Sequence, residues 1–364
     1  MGNLISLVDS SFRSQTTHCL PKLRQSRVTR SATGSLYLLE VMDYQAFASD
    51  LPPRETIVFN SVEENEETMR AFGVTQEIRQ LGTGTFRCDM AVRSTPQADF
   101  FADRFNKAFT MYLEPPSGTV GVVFPRSASE RFRSSGQNAA NDKMVILPDG
   151  SGTDIVASDL SGSEAITIPH TRFREMVEVL CPTSVAPERT AVTRGDIAGL
   201  DRLRNAMLEL MAHPERPADD EQVENLIAAT VTWMGSSSNG GHVGTITFIP
   251  ARTRVAKLAQ EFIEEHYREV VRIEDICRFA RVGVRTLQRS FREYFDLTIT
   301  DYLKTVRLDS ARRELVAAEQ AEDRVSTIAL RNGLTNLGRF SVEFHKRFGV
   351  LPRETLAARP SQKS

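Results

Sequence analysis

The sequence predicts an α+β chain of more than one domain. A strand-rich N-terminal barrel or sandwich comes first, then a helical segment, then an all-α C-terminal domain with two helix-turn-helix motifs joined by a long helix. Three observations carry this prediction. Between roughly Gln76 and Cys181, short apolar runs alternate with Gly, Pro, Ser and Asp; from Asp196 the apolar residues recur with a helical period; and the last third holds one local pattern twice. A chain of 364 residues has room for two domains of about 100–200 residues each.

Taken in order, the first 75 residues carry partial helical patterns in VMDYQAFASDLPP and EENEETMRAFGV, and Leu36 to Met42 reads as a buried strand. The runs IRQLGTGTFRCDM, KAFTMYLEPP, GTVGVVFP, KMVILPDGSG and EAITIPH follow, with turn residues at spacings of about ten, as expected of antiparallel strands. Residues 127–142 are polar and read as a loop. Ile197, Leu200, Leu203, Met207, Leu210 and Met211 then mark one helix, and Val223, Leu226, Ile227, Val231 and Trp233 a second, from about Glu221 to Met234. This pair is expected to contribute to self-association, with a plain helical cover over the sheet as the alternative. Gly235 to Gly244 is Gly/Ser-rich and reads as a flexible linker. The expected division is 1–195 (β-rich), 196–234 (helical pair), 235–251 (linker) and 252–360 (helical, with the doubled pattern).

The net charge of −2 conceals an asymmetry. Residues 251–364 contain 22 Lys+Arg against 16 Asp+Glu, and the remainder 23 against 31. A basic C-terminal region behind an acidic body suits a negatively charged partner. Cys19, Cys88, Cys181 and Cys277 form no CxxC pair, so a reducing compartment fits better than a disulfide or metal framework. No run approaches the roughly 18 apolar residues of a membrane span, and no secretory leader is evident, so a soluble intracellular protein without a membrane partner is expected.

The doubled pattern runs from Ile273 to Phe295 and from Val325 to Phe348. Ile276 matches Ile328 at an offset of 52, while Phe291 matches Phe344 at 53, so the second copy is one residue longer in its turn. In the first copy Leu287, Phe291 and Phe295 bury one helix face, and Arg285, Gln288, Arg289 and Arg292 occupy the other. A helix-turn-helix needs both: an apolar face on the preceding helix and long hydrogen-bonding side chains for the groove. Arg pairs bidentately with guanine and Gln with adenine, each worth about 1–3 kcal/mol of discrimination.

The second copy has the apolar frame Leu337, Phe340, Phe344 and Phe348. Gly338, Ser341 and Val342 stand where the first copy has Arg285, Gln288 and Arg289. Arg339, His345, Lys346 and Arg347 suit phosphates better than base edges, and Val342 could pack on a thymine methyl. Base reading is therefore assigned to Arg285, Gln288 and Arg289. Backbone or second-site contacts are assigned to Thr286, Arg292, Asn336, Arg339, Ser341, Val342 and Lys346. Between the copies, Ile299 to Ala318 reads as one helix with Leu303, Val306, Ala311 and Leu315 as its buried stripe. Twenty residues span about 30 Å, close to the ~34 Å between successive major-groove openings on one DNA face. The expected partner is double-stranded DNA across two adjacent major grooves.

The runs TLQRSFREYF, YLKTVRLDSARREL and IALRNGLTNLGRFSVEFHKRFGVLP resemble the DNA-binding domain of the AraC/XylS family of transcription regulators, over roughly Thr253 to Leu356. Arg307, Leu308, Ala311 and Leu315 in the connector carry the likeness, with Gly333, Phe340, Phe344, Phe348, Gly349 and Pro352 in the second copy. Leu334 replaces the usual Phe after the turn glycine. The resemblance implies base reading at Arg285, Gln288 and Arg289, and puts Gly338 and Val342 at the corresponding places of the second unit. It further implies an N-terminal cupin-like domain that binds a small-molecule effector and dimerises, contact with RNA polymerase, a cytoplasmic nucleoid-associated location, and most often activation.

Enzyme chemistry finds little support in the residues, and no cofactor is implied. Of six histidines only His170 lies in the strand-rich region, too few for a catalytic metal. GTGTF lacks the ending of a phosphate loop, and DGSGTD lacks the acidic residue of a calcium loop. Cys88 has no placed base. Phe86, Met111, Tyr112 and Phe124 could line a small-molecule pocket or simply fill a core. An enzyme, or an effector-free architectural protein, with a fused DNA-binding domain is the alternative.

Overall fold

The computed structural model describes residues 43–52, 56–213, 219–236, 251–318 and 324–357. The expected strand Leu36–Met42 and most of the expected linker, residues 237–250, lie outside them. After a short helical stretch at residues 43–47, the β-rich region runs β1 (Thr56–Phe59), α1 (Val62–Ala71), β2 (Thr75–Gln80), β3 (Cys88–Ser94), β4 (Asp99–Phe105) and β5 (Phe109–Glu114). It continues with β6 (Thr119–Ser127), β7 (Phe132–Ser134), β8 (Gln137–Asn138), β9 (Lys143–Leu147), β10 (Thr153–Ala157), β11 (Ser161–Pro169), α2 (His170–Leu180) and β12 (Ala191–Arg194). Then come α3 (Ile197–Ala212) and α4 (Asp220–Ser236).

The strands form two antiparallel sheets, one of seven in the order β1-β3-β4-β11-β6-β9-β12 and one of five in the order β2-β5-β10-β7-β8. Alternation along the strands explains the layers. In β4, Phe100 and Ala102 face one cluster while Phe101 and Phe105 face another; in β6, Val122 and Phe124 oppose Val123; in β9, Ile146 opposes Val145 and Leu147. Successive side chains of a strand point to opposite faces. One face of the seven-stranded sheet therefore packs on the five-stranded sheet and the other lies under α2, α3 and α4. Burial on both sides is why β6 and β9 read as nearly unbroken apolar runs.

The structure corrects several expectations. Residues 127–142 are not a plain loop, since β7 and β8 form a hairpin there. In line with the reading of the pair as a helical cover, the apolar stripes of α3 and α4 (Leu200, Leu203, Met207, Val223, Ile227, Val231) are buried on the sheet and on each other. Gly235 and Ser236, read as linker, complete α4, and Ala251 already begins the next helix.

One charged cluster fastens the cover. Glu164 of β11 is fully buried and accepts from Arg104 at 2.5 Å and Arg126 at 2.8 Å, with Arg204 of α3 at 3.5 Å. Arg204 also donates to the carbonyls of Pro125 (2.7 Å) and Asn141 (2.8 Å). Burial alone would raise the Glu164 carboxyl, but Arg104, Arg126 and Arg204 together pull it below its ordinary value. Its stabilising contribution is then complete above the usual carboxylate range and is lost as pH falls through the depressed folded value. Glu164→Gln removes the buried carboxylate that the three arginines share, leaving Arg104 and Arg126 with the more exposed Asp50 and Arg204 with Asp201, and is expected to cost about 3 kcal/mol. Urea unfolding at pH 7 checks this; a loss under about 1 kcal/mol would contradict the anchoring role.

Candidate nucleic-acid interface

The C-terminal region contains α5 (Ala251–His266), α6 (Ile273–Ala280), α7 (Val284–Phe295), α8 (Ile299–Ala317), α9 (Val325–Arg331), α10 (Leu337–Phe348) and α11 (Pro352–Ala357). The starts of α6 and α9 are offset by 52 and those of α7 and α10 by 53, so the turn of the second unit takes the extra residue. In the first unit Ala256, Ala259 and Ile263 of α5 pack with Ile276, Leu287, Phe291, Tyr294 and Phe295, closed by Ile299, Tyr302 and Val306 of α8. In the second, Ile328, Ala329, Phe340, Phe344 and Phe348 pack on Leu308, Ala311 and Leu315. The connector thus lends its first half to one core and its second half to the other.

Arg307 locks the connector to the first unit. Its Nε donates to the Tyr267 carbonyl and an Nη to that of Glu269, each at 2.7 Å. Gly333, at φ 71°, lies beside it, and a Cβ there would meet Arg307 Nε at 3.0 Å and Tyr267 O at 3.1 Å. Only glycine combines that backbone angle with so close an approach.

With the apolar face of α7 buried, Arg285, Thr286, Gln288, Arg289 and Arg292 are all exposed on the helix. Arg289 Nε donates to Glu293 Oε1 at 2.8 Å, and Arg252 Nη1 reaches both oxygens of the same carboxylate at 3.0 and 2.8 Å. Hydrogen bonds from Arg289 and then Arg252 hold the Glu293 carboxyl below the usual range. On α10, Arg339, Val342, His345 and Lys346 are exposed and Ser341 half-buried, its hydroxyl bonded to the Leu337 carbonyl at 3.3 Å. Asn336 is the N-cap of α10, accepting from Arg339 N at 3.0 Å.

Two readings of the second unit are overturned. Leu337 is not part of the buried frame but is 39% exposed. Arg347 does not face a phosphate, being 3% exposed. Its Nε donates to Asp309 at 3.0 Å, and an Nη donates to the Gln80 carbonyl at the end of β2. Arg347 is thus part of a seam between the helical region and the five-stranded sheet. There Gly84 N donates to the Lys346 carbonyl at 3.1 Å, Arg313 pairs with Glu66 at 3.2 Å and Arg312 with Glu63 at 3.4 Å. Lys257 pairs with Asp154, and Leu81 and Val156 join the apolar core of the first unit. The seam has no local signature in the sequence because its partners are 100 to 270 residues apart, whereas Glu293 has one, standing at i+4 from Arg289.

Among the described residues no three His, Cys, Asp or Glu side chains are grouped to hold a metal ion, and no helix is long and apolar enough to cross a membrane.

Residues 276–358 match a family model described as a helix-turn-helix domain. The chain is 34% identical over 111 residues to the probable thc operon regulatory protein of Rhodococcus erythropolis, covering 30% of this chain and 33% of that one. It is 28% identical over 131 residues to XylDLEGF operon transcriptional activator 2 of Pseudomonas putida, covering 36% and 81%. The C-terminal domain is a helix-turn-helix domain of the AraC/XylS type. An AraC-type regulator structure from Chromobacterium violaceum is 27% identical, with 30% of this chain and 95% of that one covered and a TM-score of 0.27. The chain thus spans about a third of the length of the thc operon regulator, and the family-model match lies in the region carrying the doubled motif.

The buried Arg347 yields a prediction. Arg347→Ala strips Asp309 and the Gln80 carbonyl of a shared donor, and should lower unfolding stability by about 3 kcal/mol. Denaturant melts of the full chain read this; an unchanged midpoint would show that the seam contributes nothing to the fold.

Proposed function

We propose that this protein is a sequence-specific, DNA-binding transcription regulator of the AraC/XylS kind, acting as an activator under control of a small-molecule effector. The observation that carries the reading is α7: a fully seated apolar face with Arg285, Gln288 and Arg289 presented outward. Such side chains can discriminate guanine and adenine in the major groove. The second unit, with Gly338 and Val342 at the matching places, fits a positioning role in which Arg339 and Lys346 meet phosphates. Thr286, Arg292, Asn336 and Ser341 complete the backbone contacts in this reading, with the Asn336 amide nitrogen as the group left over from capping. Homodimerisation, contact with RNA polymerase and a cytoplasmic, nucleoid-associated location belong to the same reading and rest on the resemblance.

The β-rich region, with its helical cover, would be the cupin-like sensor, and residues 252–360 the reader. Support for a sensor comes from a cavity between the sheets lined by Phe101, Phe105, Phe109, Met111 and Phe132, with Asp103 and Ser163 as its polar side. Burial raises Asp103 to about 6, while Ser163 donates to it from its backbone N–H (3.0 Å) and its hydroxyl (2.9 Å). The cavity holds about 50 Å³, well below the roughly 300–1,000 Å³ of a ligand pocket. An effector must therefore part the sheets, which makes binding and conformation one equilibrium.

Selection of duplexes from a random library by the full chain is the primary test. A site with two contact patches about 10 bp apart is expected, and failure to enrich any sequence would overturn sequence-specific reading. Arg285→Ala should weaken binding to that site more than to random DNA, whereas Lys346→Ala should weaken both alike and make the salt dependence shallower. Equal losses for Arg285→Ala would remove it from base reading. For the sensor, a thermal-shift screen of metabolites on the full chain should find a compound stabilising it by about 2–3 kcal/mol near 100 Kd; a screen without any specific hit would favour an effector-free binder.

A further inference from the structure

Glu293 lies one helical turn beyond Arg289 on the exposed side of α7, among residues suited to a polyanion. A carboxylate there repels phosphate, so an acidic side chain at this place needs a compensating role. Two guanidinium groups from different helices converge on it, Arg289 from α7 itself and Arg252 from the first turn of α5. The geometry is selective. Arg289 is bound through Nε, which leaves its Nη1/Nη2 edge for a bidentate partner such as guanine O6/N7. A free arginine side chain carries about 2 kcal/mol of rotamer entropy. Fixing it before DNA arrives lowers the cost of ordering it in the complex.

The other end of this relay is also held. Thr253, beside Arg252, is buried against the turn between β7 and β8, where a Cβ on Gly136 would come within 2.3 Å of Thr253 Cγ2. Lys257, one turn further along α5, pairs with Asp154 of β10. The first turn of α5 is thus gripped by the five-stranded sheet on one side and by Glu293 on the other.

We infer that Glu293, anchored by Arg252, is a positioning residue that presets Arg289 for base recognition, and that α5 carries the placement of the β-rich region to this pair. The inference rests on the assignment of α7 as the reading helix. Glu293 itself contacts no DNA in this arrangement; its charge is tolerated because it orders the neighbour that does.

The test uses the full chain, the duplex it selects from a random library, single-base-pair variants of that duplex, and random DNA. Arg289→Ala identifies the position that this side chain reads, as a loss of discrimination there. Glu293→Gln is expected to reduce discrimination at that same position roughly fivefold, while binding to random DNA becomes tighter because a negative charge has gone. Arg252→Ala should cut discrimination at the same position without tightening random binding, and Arg289→Ala combined with Glu293→Gln should lose no more there than Arg289→Ala alone. If Glu293→Gln instead tightens binding to every duplex by one factor with discrimination intact, Glu293 acts only through its charge and the inference fails while the reading assignment stands. If Arg289→Ala leaves discrimination intact at every position, the reading assignment fails and the inference falls with it.

Discussion

Most of what the C-terminal domain can do depends on one rigid element that belongs to two cores. Neither helix-turn-helix unit closes without α8: Ile299, Tyr302 and Val306 complete the first, and Leu308, Ala311 and Leu315 complete the second. A 19-residue α-helix spans about 28 Å, and its length cannot be adjusted without unpacking one of the cores. Arg307 and Gly333 lock the remaining freedom where the connector meets the first unit. The spacing of α7 and α10 is therefore a property of packing, and on the proposed function a duplex must accommodate it.

The same rigidity gives the docked five-stranded sheet its leverage. Arg347, Arg313, Arg312 and Lys257 of the helical region meet the Gln80 carbonyl, Glu66, Glu63 and Asp154 of the β-rich region. Part of the charge asymmetry between the two parts of the chain is thus spent within the molecule. A cavity too small for a ligand lies between the sheets, and the outer sheet carries this seam. Any expansion of the sandwich would strain contacts made to both helix-turn-helix units; on the proposed function, this is how a ligand with different affinity for two conformations would shift their populations.

How much of this was legible varies with the range of the interaction. The doubled motif, the long connector and the outward face of α7 are local, period-driven features, and they stand where the sequence placed them. The strands buried on both faces were recognisable as apolar runs, but β4, with its charged Asp103 and Arg104, was not among them. Arg104 is buried with Glu164 and the half-buried Asp103 is held by Ser163, partners some 60 residues away. The hairpin of β7 and β8 was hidden by polar composition. Arg347 resembles the exposed basic residues His345 and Lys346 beside it, because helix position alone does not say which side a neighbouring sheet will cover. Leu337 looked like frame because its apolar character suited the pattern, yet it lies at the exposed start of α10.

On the proposed function, one protomer places two unequal helices in adjacent major grooves. Hydroxyl-radical footprinting combined with base-substitution scanning of the bound site, at one protomer per duplex, is the decisive measurement. Two protected backbone patches about one helical turn apart are expected, with base substitutions costly in the patch under α7 and nearly silent in the patch under α10. A single protected patch, or two patches equally sensitive to base identity, would contradict this placement.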